Sequence, residues 1–356
     1  MKRFVFSLLA LLLSVAGASA QLKFVDAERL GLVNKLGPTE NRYHRVDTDK
    51  YDLTQTEANL LRMPAGMALV FRTNSSQIAV RTHYLNYSMV RHSTTGVSQT
   101  GYDLYIRTEG QWLYAGSNAP KNKDAELVLV RNMDDSEKEC LLYLPLFSEL
   151  GRIEIGIDEG AEIEASVNPF RHRIVIFGSS FTHGTSTGRP GMSYPMIMQR
   201  NTGLQFINLG VSGNSKLQQS FAAIIGDNAC DAIVVDAFSN PGSEMIRERF
   251  LPFVAAIRKA HPAIPLIFLQ TIYRERANFD LKERVREEEK RRAAREAFEE
   301  AAEVYDDIYF VDEPDLTGTD HITSLDGTHP DDLGYWRWAN AIQPRIVKIL
   351  KKYGIR

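Results

Sequence analysis

The chain has 356 residues, of which 44% are hydrophobic, 24% charged and 10% aromatic. This length is a little over twice the roughly 150 residues of a typical domain, so we expect two domains with cores of their own. The composition excludes a collagen-like, intrinsically disordered or polytopic membrane protein. With a formal net charge of −3, the chain also lacks the strongly basic character of proteins that bind nucleic acids or anionic lipid surfaces.

The first twenty residues have the three parts of a secretory signal peptide. Lys2 and Arg3 give a basic start, residues 4–17 form an apolar run, and residues 18–20 read Ala-Ser-Ala, a cleavage site of the A-x-A type. The alternative is an uncleaved N-terminal anchor, but a membrane-spanning helix needs about 20 apolar residues. No cysteine directly follows the cleavage site, which argues against lipid modification. We expect a periplasmic or secreted protein without stable membrane insertion after cleavage.

Residues 21–168 alternate short β-rich runs with turn-forming clusters. Two such clusters are residues 74–76 (Asn-Ser-Ser) and 158–160 (Asp-Glu-Gly), and the spacing is typical of an antiparallel sandwich. We therefore predict that this half of the chain is all-β. The predicted strands cover residues 67–72, 77–84, 102–107, 126–130, 140–146, 152–157 and 162–167.

After Asn168 and Pro169 the pattern changes to apolar runs followed by helical stretches. This alternation predicts an α/β domain over residues 169–356, with a parallel sheet covered on both faces. The predicted strands are residues 172–177, 204–209, 232–237, 265–271 and 308–311. The predicted helices are residues 194–200, 216–225, 242–260, 281–304 and 332–352.

The helix over residues 281–304 is dense in Glu, Lys and Arg. Its few apolar positions recur mostly at helical spacing and include Leu281, Val285 and Ala293. We predict a solvated amphipathic surface helix whose apolar positions face the protein, and the alternative is a partner-binding helix.

Cys140 and Cys230 are the only cysteines of the chain, and they lie in different predicted domains. They could form one interdomain disulfide, but two separate buried thiols are the favoured interpretation. The cysteines show no zinc-type spacing.

Four segments that can carry chemistry follow predicted strands or precede the last helix. In an open parallel sheet, ligands bind beyond the carboxyl ends of the strands. Residues 178–184 read Gly-Ser-Ser-Phe-Thr-His-Gly, which is neither a Walker phosphate loop nor the G-x-S-x-G elbow. A serine nucleophile on a tight strand-to-helix turn is one interpretation, and a Gly/Ser-rich turn without a function is the other.

The next two segments could supply hydrogen-bond donors. Residues 208–214 read Asn-Leu-Gly-Val-Ser-Gly-Asn, and the glycines would let a backbone N–H face a substrate. Residues 236–241, Asp-Ala-Phe-Ser-Asn-Pro, bring the amide of Asn240 to the same rim. Taken alone, the first segment would be a tight turn and the second a capping asparagine.

The fourth segment, residues 326–330, reads Asp-Gly-Thr-His-Pro. His329 can act as general base for a serine only if its tautomer is fixed, and Asp326 can reach its second ring nitrogen from three positions earlier. One alternative is an exposed histidine beside a helix-capping aspartate. Another is a metal-binding pair, although one Asp and one His without further ligands make a poor site.

Together, the order Ser, Gly, Asn and Asp-x-x-His resembles the SGNH (GDSL-type) esterase and lipase superfamily, from about residue 171 to the end of the chain. The resemblance implies a flavodoxin-like α/β domain. The usual Gly-Asp-Ser reads Gly-Ser-Ser at residues 178–180, and the usual Gly-x-Asn-Asp reads Phe-Ser-Asn-Pro at residues 238–241. The resemblance implies Ser180 as nucleophile, Asp326 and His329 as orienter and base, and the Ser180 N–H, Gly213 and Asn240 as oxyanion donors.

Residues 101–105, Gly-Tyr-Asp-Leu-Tyr, resemble the Gly-x-Asp-Leu-Tyr signature of a β-sandwich domain that precedes a branch of these hydrolases in gut-type Bacteroidetes. That branch also tends to have the Gly-Ser-Ser form. The resemblance implies a jelly-roll-like domain over residues 21–168. For Asp103 and Tyr105 the favoured interpretation is structural, as a turn carboxylate and a packed aromatic ring, and the alternative is a role in gripping substrate or closing over the site.

We therefore expect a serine ester hydrolase that removes short acyl groups, above all acetyl, from a carbohydrate or a small-molecule ester. Residues 184–192 lack the leucine-rich surface of a lipid interface, and export suits an extracellular glycan. We expect no metal or organic cofactor and no nucleic-acid partner, and the oligomeric state stays open. The alternatives are an acyltransferase or lysophospholipase with the same triad, and a carbohydrate-binding protein with an inactive hydrolase domain, against which the intact triad argues.

Overall fold

The computed structural model of the protein describes residues 21–87 and 93–356, so the predicted signal peptide lies outside the described residues. The strands are β1 (Leu22–Asp26), β2 (Gly31–Val33), β3 (Ala68–Thr73), β4 (Ile78–Asn86), β5 (Tyr102–Thr108), β6 (Gln111–Asn118), β7 (Leu127–Val130), β8 (Lys138–Tyr143), β9 (Glu149–Asp158), β10 (Ile163–Ala165), β11 (Arg171–Gly178), β12 (Leu204–Gly210), β13 (Ala232–Asp236), β14 (Leu266–Leu269) and β15 (Ile308–Val311). The helices are α1 (Gln55–Leu61), α2 (Gly96–Thr100), α3 (Ser180–His183), α4 (Tyr194–Thr202), α5 (Gln219–Gly226), α6 (Ser243–Ala260), α7 (Leu281–Ala302) and α8 (Asp332–Leu350).

The strands of the first half form two antiparallel sheets. One sheet has the order β1-β9-β4-β7, and the other has the order β10-β3-β8-β5-β6, with β2 paired to β3. The orders β1-β9-β4-β7 and β3-β8-β5-β6 are those of a jelly roll, which confirms the predicted fold class of this half. Apolar side chains that include Phe71, Val80, Leu104 and Ile155 form its core.

Besides its strands, the jelly-roll half contains two short helices, one before strand β3 and one before strand β5. Helices α1 and α2 were not predicted, and strands β1, β2 and β6 were also missed. Helix α1 has a capping box, because the Thr54 hydroxyl accepts from the Glu57 N–H and the Glu57 carboxylate accepts from the Thr54 N–H. Thr-x-x-Glu before an apolar run is a sequence signal for a helix start.

The second half contains one parallel sheet with the strand order β12-β11-β13-β14-β15. All five predicted strands are present, and the α/β prediction is confirmed. Side chains of Val175 and Phe177 pack with helices α5, α6 and α7 on one face. Those of Ile174 and Ile176 pack with helices α4 and α8 on the other. Helices therefore cover both faces, and in such a sheet a ligand site is expected beyond the carboxyl ends of the strands.

Both cores of the second half continue into the jelly roll. Val70 and Tyr143 of the jelly roll belong to the apolar cluster that contains Tyr194 and Trp338. Phe147 belongs to the cluster on the opposite face of the parallel sheet. The two halves therefore bury apolar surface against each other.

Helix α7 lies at the surface, but its inward face differs from the prediction. Leu281 and Val285 are 64% and 53% exposed, so the expectation that they face the protein is wrong. Glu283, Glu287 and Lys290 are buried in their place. The first half of the helix therefore packs through charged groups, and the alanines of its second half join the apolar core together with the partly buried Phe298.

Cys140 is buried and Cys230 is half-buried, and both thiols are free, as the favoured interpretation holds. None of the helices in the described ranges is long and apolar enough to span a membrane.

Candidate active site

Three of the four predicted segments meet because their strands are neighbours. Strand β11 lies between β12 and β13, and Gly178 at its end pairs with Gly210 on one side and with Asp236 on the other. The chain therefore leaves all three strands at the same level of the sheet. The segments with Ser180, Gly213 and Asn240 begin there.

Two glycines allow helix α3 to begin directly at this sheet edge. A Cβ atom on Gly178 would lie 1.9 Å from Thr182 Oγ1, and one on Gly210 would lie 2.2 Å from the backbone nitrogen of His183. Any larger residue would push the helix away from the strands. The close approach fixes the position of Ser180, which is the first residue of the helix.

The adjacent serines have different contacts. The Ser179 hydroxyl is buried at the N-cap of α3 and accepts a hydrogen bond from the Phe181 N–H at 3.2 Å. Ser180 Oγ lies 2.8 Å from His329 Nε2. The serine that faces the histidine is therefore Ser180, in the register that the resemblance implies.

Asp326 holds His329 through both of its carboxylate oxygens. Its Oδ2 lies 2.8 Å from His329 Nδ1, and its Oδ1 accepts from the backbone N–H of Thr328 at 2.9 Å and of His329 at 2.8 Å. Gly327 supplies the left-handed backbone of this tight turn, with φ +81°. Partial burial acts to raise the pKa of Asp326, but the hydrogen bonds from His329 hold it below its ordinary value. An ionised Asp326 fixes Nδ1 as the protonated nitrogen and leaves Nε2 to accept a proton from Ser180.

Three hydrogen-bond donors lie in the segments that follow the neighbouring strands β11, β12 and β13. They are the Ser180 N–H, the Gly213 N–H in a turn with φ +74°, and Nδ2 of Asn240. Among the described residues, no hydrogen bond uses any of these donors. Asn240 Oδ1 accepts from the Ser215 N–H at 3.2 Å and from the Ser215 hydroxyl at 3.1 Å, so its amide nitrogen is the group left to bind a ligand. The set is suited to stabilise a negative oxygen.

His183 is a second histidine near the serine, but it contacts the jelly roll. Its Nε2 lies 2.8 Å from the carbonyl oxygen of Leu146, and its ring stacks on Phe147 at a centroid distance of 4.2 Å. Ser212 Oγ lies 3.3 Å from its Nδ1. His183 therefore links the jelly roll to the turn that contains Gly213. No local pattern predicts this link, because Leu146 lies 37 positions away from His183.

Asp103 of the Gly-x-Asp-Leu-Tyr motif binds the loop that follows α3. It is fully buried in strand β5, and its carboxylate accepts from Arg189 Nη1 at 2.9 and 2.7 Å and from the Gly191 N–H at 2.9 Å. Arg189 Nη1 also donates to the Tyr105 hydroxyl. Asp103 is thus a structural residue, although in a strand and not in a turn as expected. Because its side chain is fully buried, Asp103 does not contact substrate directly.

Within residues 21–87 and 93–356, no group of three or more His, Cys, Asp and Glu side chains is arranged to hold a metal ion.

Two family models match the chain. Residues 171–347 match the GDSL-like lipase/acylhydrolase family, and residues 22–163 match the N-terminal GxDLY domain of SGNH-hydrolase-type esterases. Of the curated proteins compared, none matches.

Solved structures resemble the whole described fold. A protein from Bacteroides ovatus described as a GDSL-like lipase is 40% identical, with a TM-score of 0.91, over 93% of this chain and 98% of its own. A salicylyl-acyltransferase from a tetracycline biosynthetic pathway is 18% identical, with a TM-score of 0.72, over 94% and 99% of the two chains. A family two carbohydrate esterase from Cellvibrio japonicus is 11% identical, with a TM-score of 0.61, over 93% and 99%. The last two share the fold of this chain.

Proposed function

Because the chain belongs to the GDSL-like lipase/acylhydrolase family and is an ester hydrolase, we propose that it is a periplasmic or secreted serine esterase that removes short acyl groups from a carbohydrate. One observation carries the serine mechanism. Ser180 Oγ, His329 and Asp326 form a continuous relay with two contacts of 2.8 Å. This relay has the geometry of a nucleophile, a base and an orienting carboxylate.

In the proposed reaction, His329 Nε2 takes the Ser180 proton while Oγ attacks the carbonyl carbon of the ester. The charge that develops on the carbonyl oxygen is stabilised by the Ser180 N–H, the Gly213 N–H and Asn240 Nδ2. The alcohol leaves with the proton that His329 returns to it. A water molecule, deprotonated by the same nitrogen, then attacks the acyl-serine. The bond between the acyl carbon and Ser180 Oγ breaks, His329 returns the proton to Oγ, and the acid is released.

The loop over residues 184–193 is the observation that favours a short acyl group. Polar contacts attach this loop to the jelly roll on one side and to helix α8 on the other. The Thr95 hydroxyl donates to the Gly188 carbonyl oxygen at 2.6 Å, and the Gly188 N–H donates to Asp332 at 2.7 Å. None of the side chains of this loop is exposed, whereas a lipid-binding flap would expose apolar side chains.

Two further observations support a carbohydrate as the alcohol half of the ester. The fold is shared with a family two carbohydrate esterase. The sequence begins with the features of an exported protein, and polysaccharides are substrates that such a protein would meet outside the cytoplasm.

The proposal is tested with p-nitrophenyl esters from acetyl to palmitoyl and with an acetylated polysaccharide, from which released acetate is measured. We expect kcat/KM to be highest for acetyl and to fall with chain length, and acetate to be released. Equal kcat/KM for acetyl and decanoyl esters, without acetate release, would contradict the proposal and favour a lysophospholipase. Transfer of the acyl group to an added alcohol in preference to water would favour an acyltransferase.

The same assay with EDTA tests the expectation of metal-free catalysis. We expect unchanged turnover. Loss of activity that a divalent metal restores would assign Asp326 and His329 to a metal site instead.

A further inference from the structure

A cluster of four charged side chains is buried behind the candidate oxyanion site. Arg274 follows strand β14, and Glu283, Glu287 and Lys290 lie on the inward face of α7. Glu287 is 1% and Lys290 3% exposed. Lys290 Nζ lies 2.5 Å from Glu287 Oε1, and Arg274 lies 3.4 Å from both Glu283 and Glu287.

Stability alone is a weak reason for such a cluster. Burying ion pairs has a desolvation cost that often exceeds the attraction between the charges, and apolar residues of similar size serve as well or better. One turn later, helix α7 packs through apolar residues, because Ala293, Ala294 and Ala297 are buried there. The charged half of the inward face therefore calls for a second explanation.

The two cations of the cluster bind one and the same backbone oxygen. The carbonyl oxygen of Ser239 accepts from Arg274 Nη2 at 2.9 Å and from Lys290 Nζ at 3.0 Å. Arg274 Nη2 also contacts the Ser239 hydroxyl at 2.7 Å. Hydrogen bonds from charged donors are roughly twice as strong as neutral ones. The Ser239 carbonyl is thus held more firmly than an ordinary loop carbonyl.

This carbonyl belongs to the peptide that joins Ser239 to Asn240. The cluster therefore fixes the backbone of Asn240, and Ser215 fixes the Oδ1 atom of its side chain. With both ends held, the direction of Asn240 Nδ2 is determined. Such rigid support matters because an oxyanion donor acts through its fixed position.

We propose that Arg274 and Lys290 are positioning residues that hold the Ser239–Asn240 peptide so that Asn240 Nδ2 meets the developing oxyanion, while Glu283 and Glu287 balance their charge. This inference rests on the proposed serine mechanism. It adds a role for the inward face of α7, which lies in a part of the chain far from the triad residues Ser180 and His329.

The test is a double-mutant cycle between Lys290→Met and Asn240→Ala, measured on p-nitrophenyl acetate. Active sites are counted with a serine-directed phosphonate, so that kcat refers to folded enzyme. We expect Lys290→Met to lower kcat roughly 10- to 100-fold with KM within about twofold. In the Asn240→Ala background, the same substitution should have no further effect on kcat, because the donor that Lys290 positions is absent.

Lys282→Met is the matched control, since Lys282 is exposed on the same helix. It should leave kcat and KM unchanged. If Lys290→Met does not fold, Arg274→Lys decides the question, because it keeps the positive charge and removes Nη2. It should lower kcat, and again only when Asn240 is present.

The inference is overturned if Lys290→Met leaves kcat per active site at the wild-type value. It is also overturned if Lys290→Met lowers kcat equally with and without Asn240. The failure of the proposed mechanism looks different. In that case Ser180→Ala would retain turnover, whatever Lys290→Met does.

Discussion

The hydroxyl groups of Ser179 and Ser180 lie one residue apart and contact different partners, one the helix N-terminus and the other His329. Ser180→Ala should lower kcat by roughly 10⁴- to 10⁶-fold, because Ser180 Oγ is the only hydroxyl among the described residues that contacts His329 Nε2. Ser179→Ala should retain measurable activity and lose about 1 kcal/mol of unfolding free energy through the lost cap. Steady-state kinetics and urea unfolding of both variants measure this. If Ser179→Ala is the inactive variant, the assignment of the nucleophile is wrong.

Asn240 can be tested separately from the triad. Asn240→Ala removes one proposed oxyanion donor and should lower kcat by about 10²- to 10³-fold, with a smaller change in KM. The split between kcat and KM follows because the donor acts on charge that exists only in the transition state. An unchanged kcat would mean that Asn240 serves only to hold Ser215.

Asp236 adds a pH dependence to the stability of the site. It is fully buried at the end of β13, where its Oδ2 accepts from Thr182 Oγ1 at 2.8 Å and from the Tyr194 hydroxyl at 3.2 Å. Its Oδ1 has no hydrogen-bond partner among the described residues. Burial raises the pKa of Asp236 from 3.8 to about 7. The folded protein therefore keeps a proton that the unfolded chain loses, so stability falls as the pH rises from about 4 to 7.

Asp236→Asn should weaken this pH dependence, because the amide does not ionise. Between about pH 5 and pH 8, the wild type should lose roughly 2 to 3 kcal/mol more unfolding free energy than the variant. Urea unfolding at both pH values measures the difference. The same loss in both proteins would show that Asp236 is already ionised in the fold at pH 5.

At the level of single residues, the sequence predicted groups that lie close to each other or follow adjacent strands. Asp326 and His329 are three positions apart, and their contact depends on one tight turn. The supports of the site were not predictable, because they join distant parts of the chain. Ser215 contacts Asn240 across 25 positions, and Arg189 contacts Asp103 across 86. Such contacts depend on packing that no local pattern encodes.

At the level of elements, the loop after α3 is attached to strand β5 through Asp103 and Arg189. Asp103→Ala leaves Arg189 without its buried partner and should lower the unfolding free energy by roughly 3 kcal/mol. Arg107→Met on the same strand is the matched control. Arg107 is 40% exposed, forms a surface ion pair at 3.3 Å with Glu139 and lies 5.7 Å from the centre of the Trp112 ring. Because these contacts are at the surface, its loss should cost less than about 1 kcal/mol. Urea unfolding of both variants tests this, and equal losses would contradict a specific role for Asp103.

The predicted elements show which patterns are informative. Strands β11 to β15 were predicted because apolar runs mark strands that are covered on both faces. Strand β6 does not show as an apolar run because it lies at an edge of its sheet and only one of its eight residues is buried. The inward face of α7 was misread because its partners there are Arg274 and Ser239, not apolar residues. Hydrophobic periodicity predicts only the elements that pack through apolar groups.

At the level of the whole molecule, the jelly roll supports the end of strand β12, which leads to the turn with Gly213. Arg45 is fully buried and donates to the carbonyl oxygens of Asn208 at 3.0 Å and Gly210 at 2.9 Å. Phe147 stacks on His183 next to the same turn. Residues that precede position 168 therefore support the end of strand β12 and the turn with Gly213 in the second half of the chain.

These contacts predict that residues 169–356 do not form a stable enzyme alone. Removal of the jelly roll exposes the apolar face around His183 and leaves the Asn208 and Gly210 carbonyls without the guanidinium of Arg45. Exposed apolar surface of this kind favours aggregation, and unsupported strand ends would disorder the Gly213 turn. We expect the fragment to be largely insoluble or to lack cooperative unfolding, in contrast to residues 21–356 prepared in the same way. A soluble fragment with a sharp thermal transition and the full kcat would show that the jelly roll contributes neither to the stability nor to the geometry of the site.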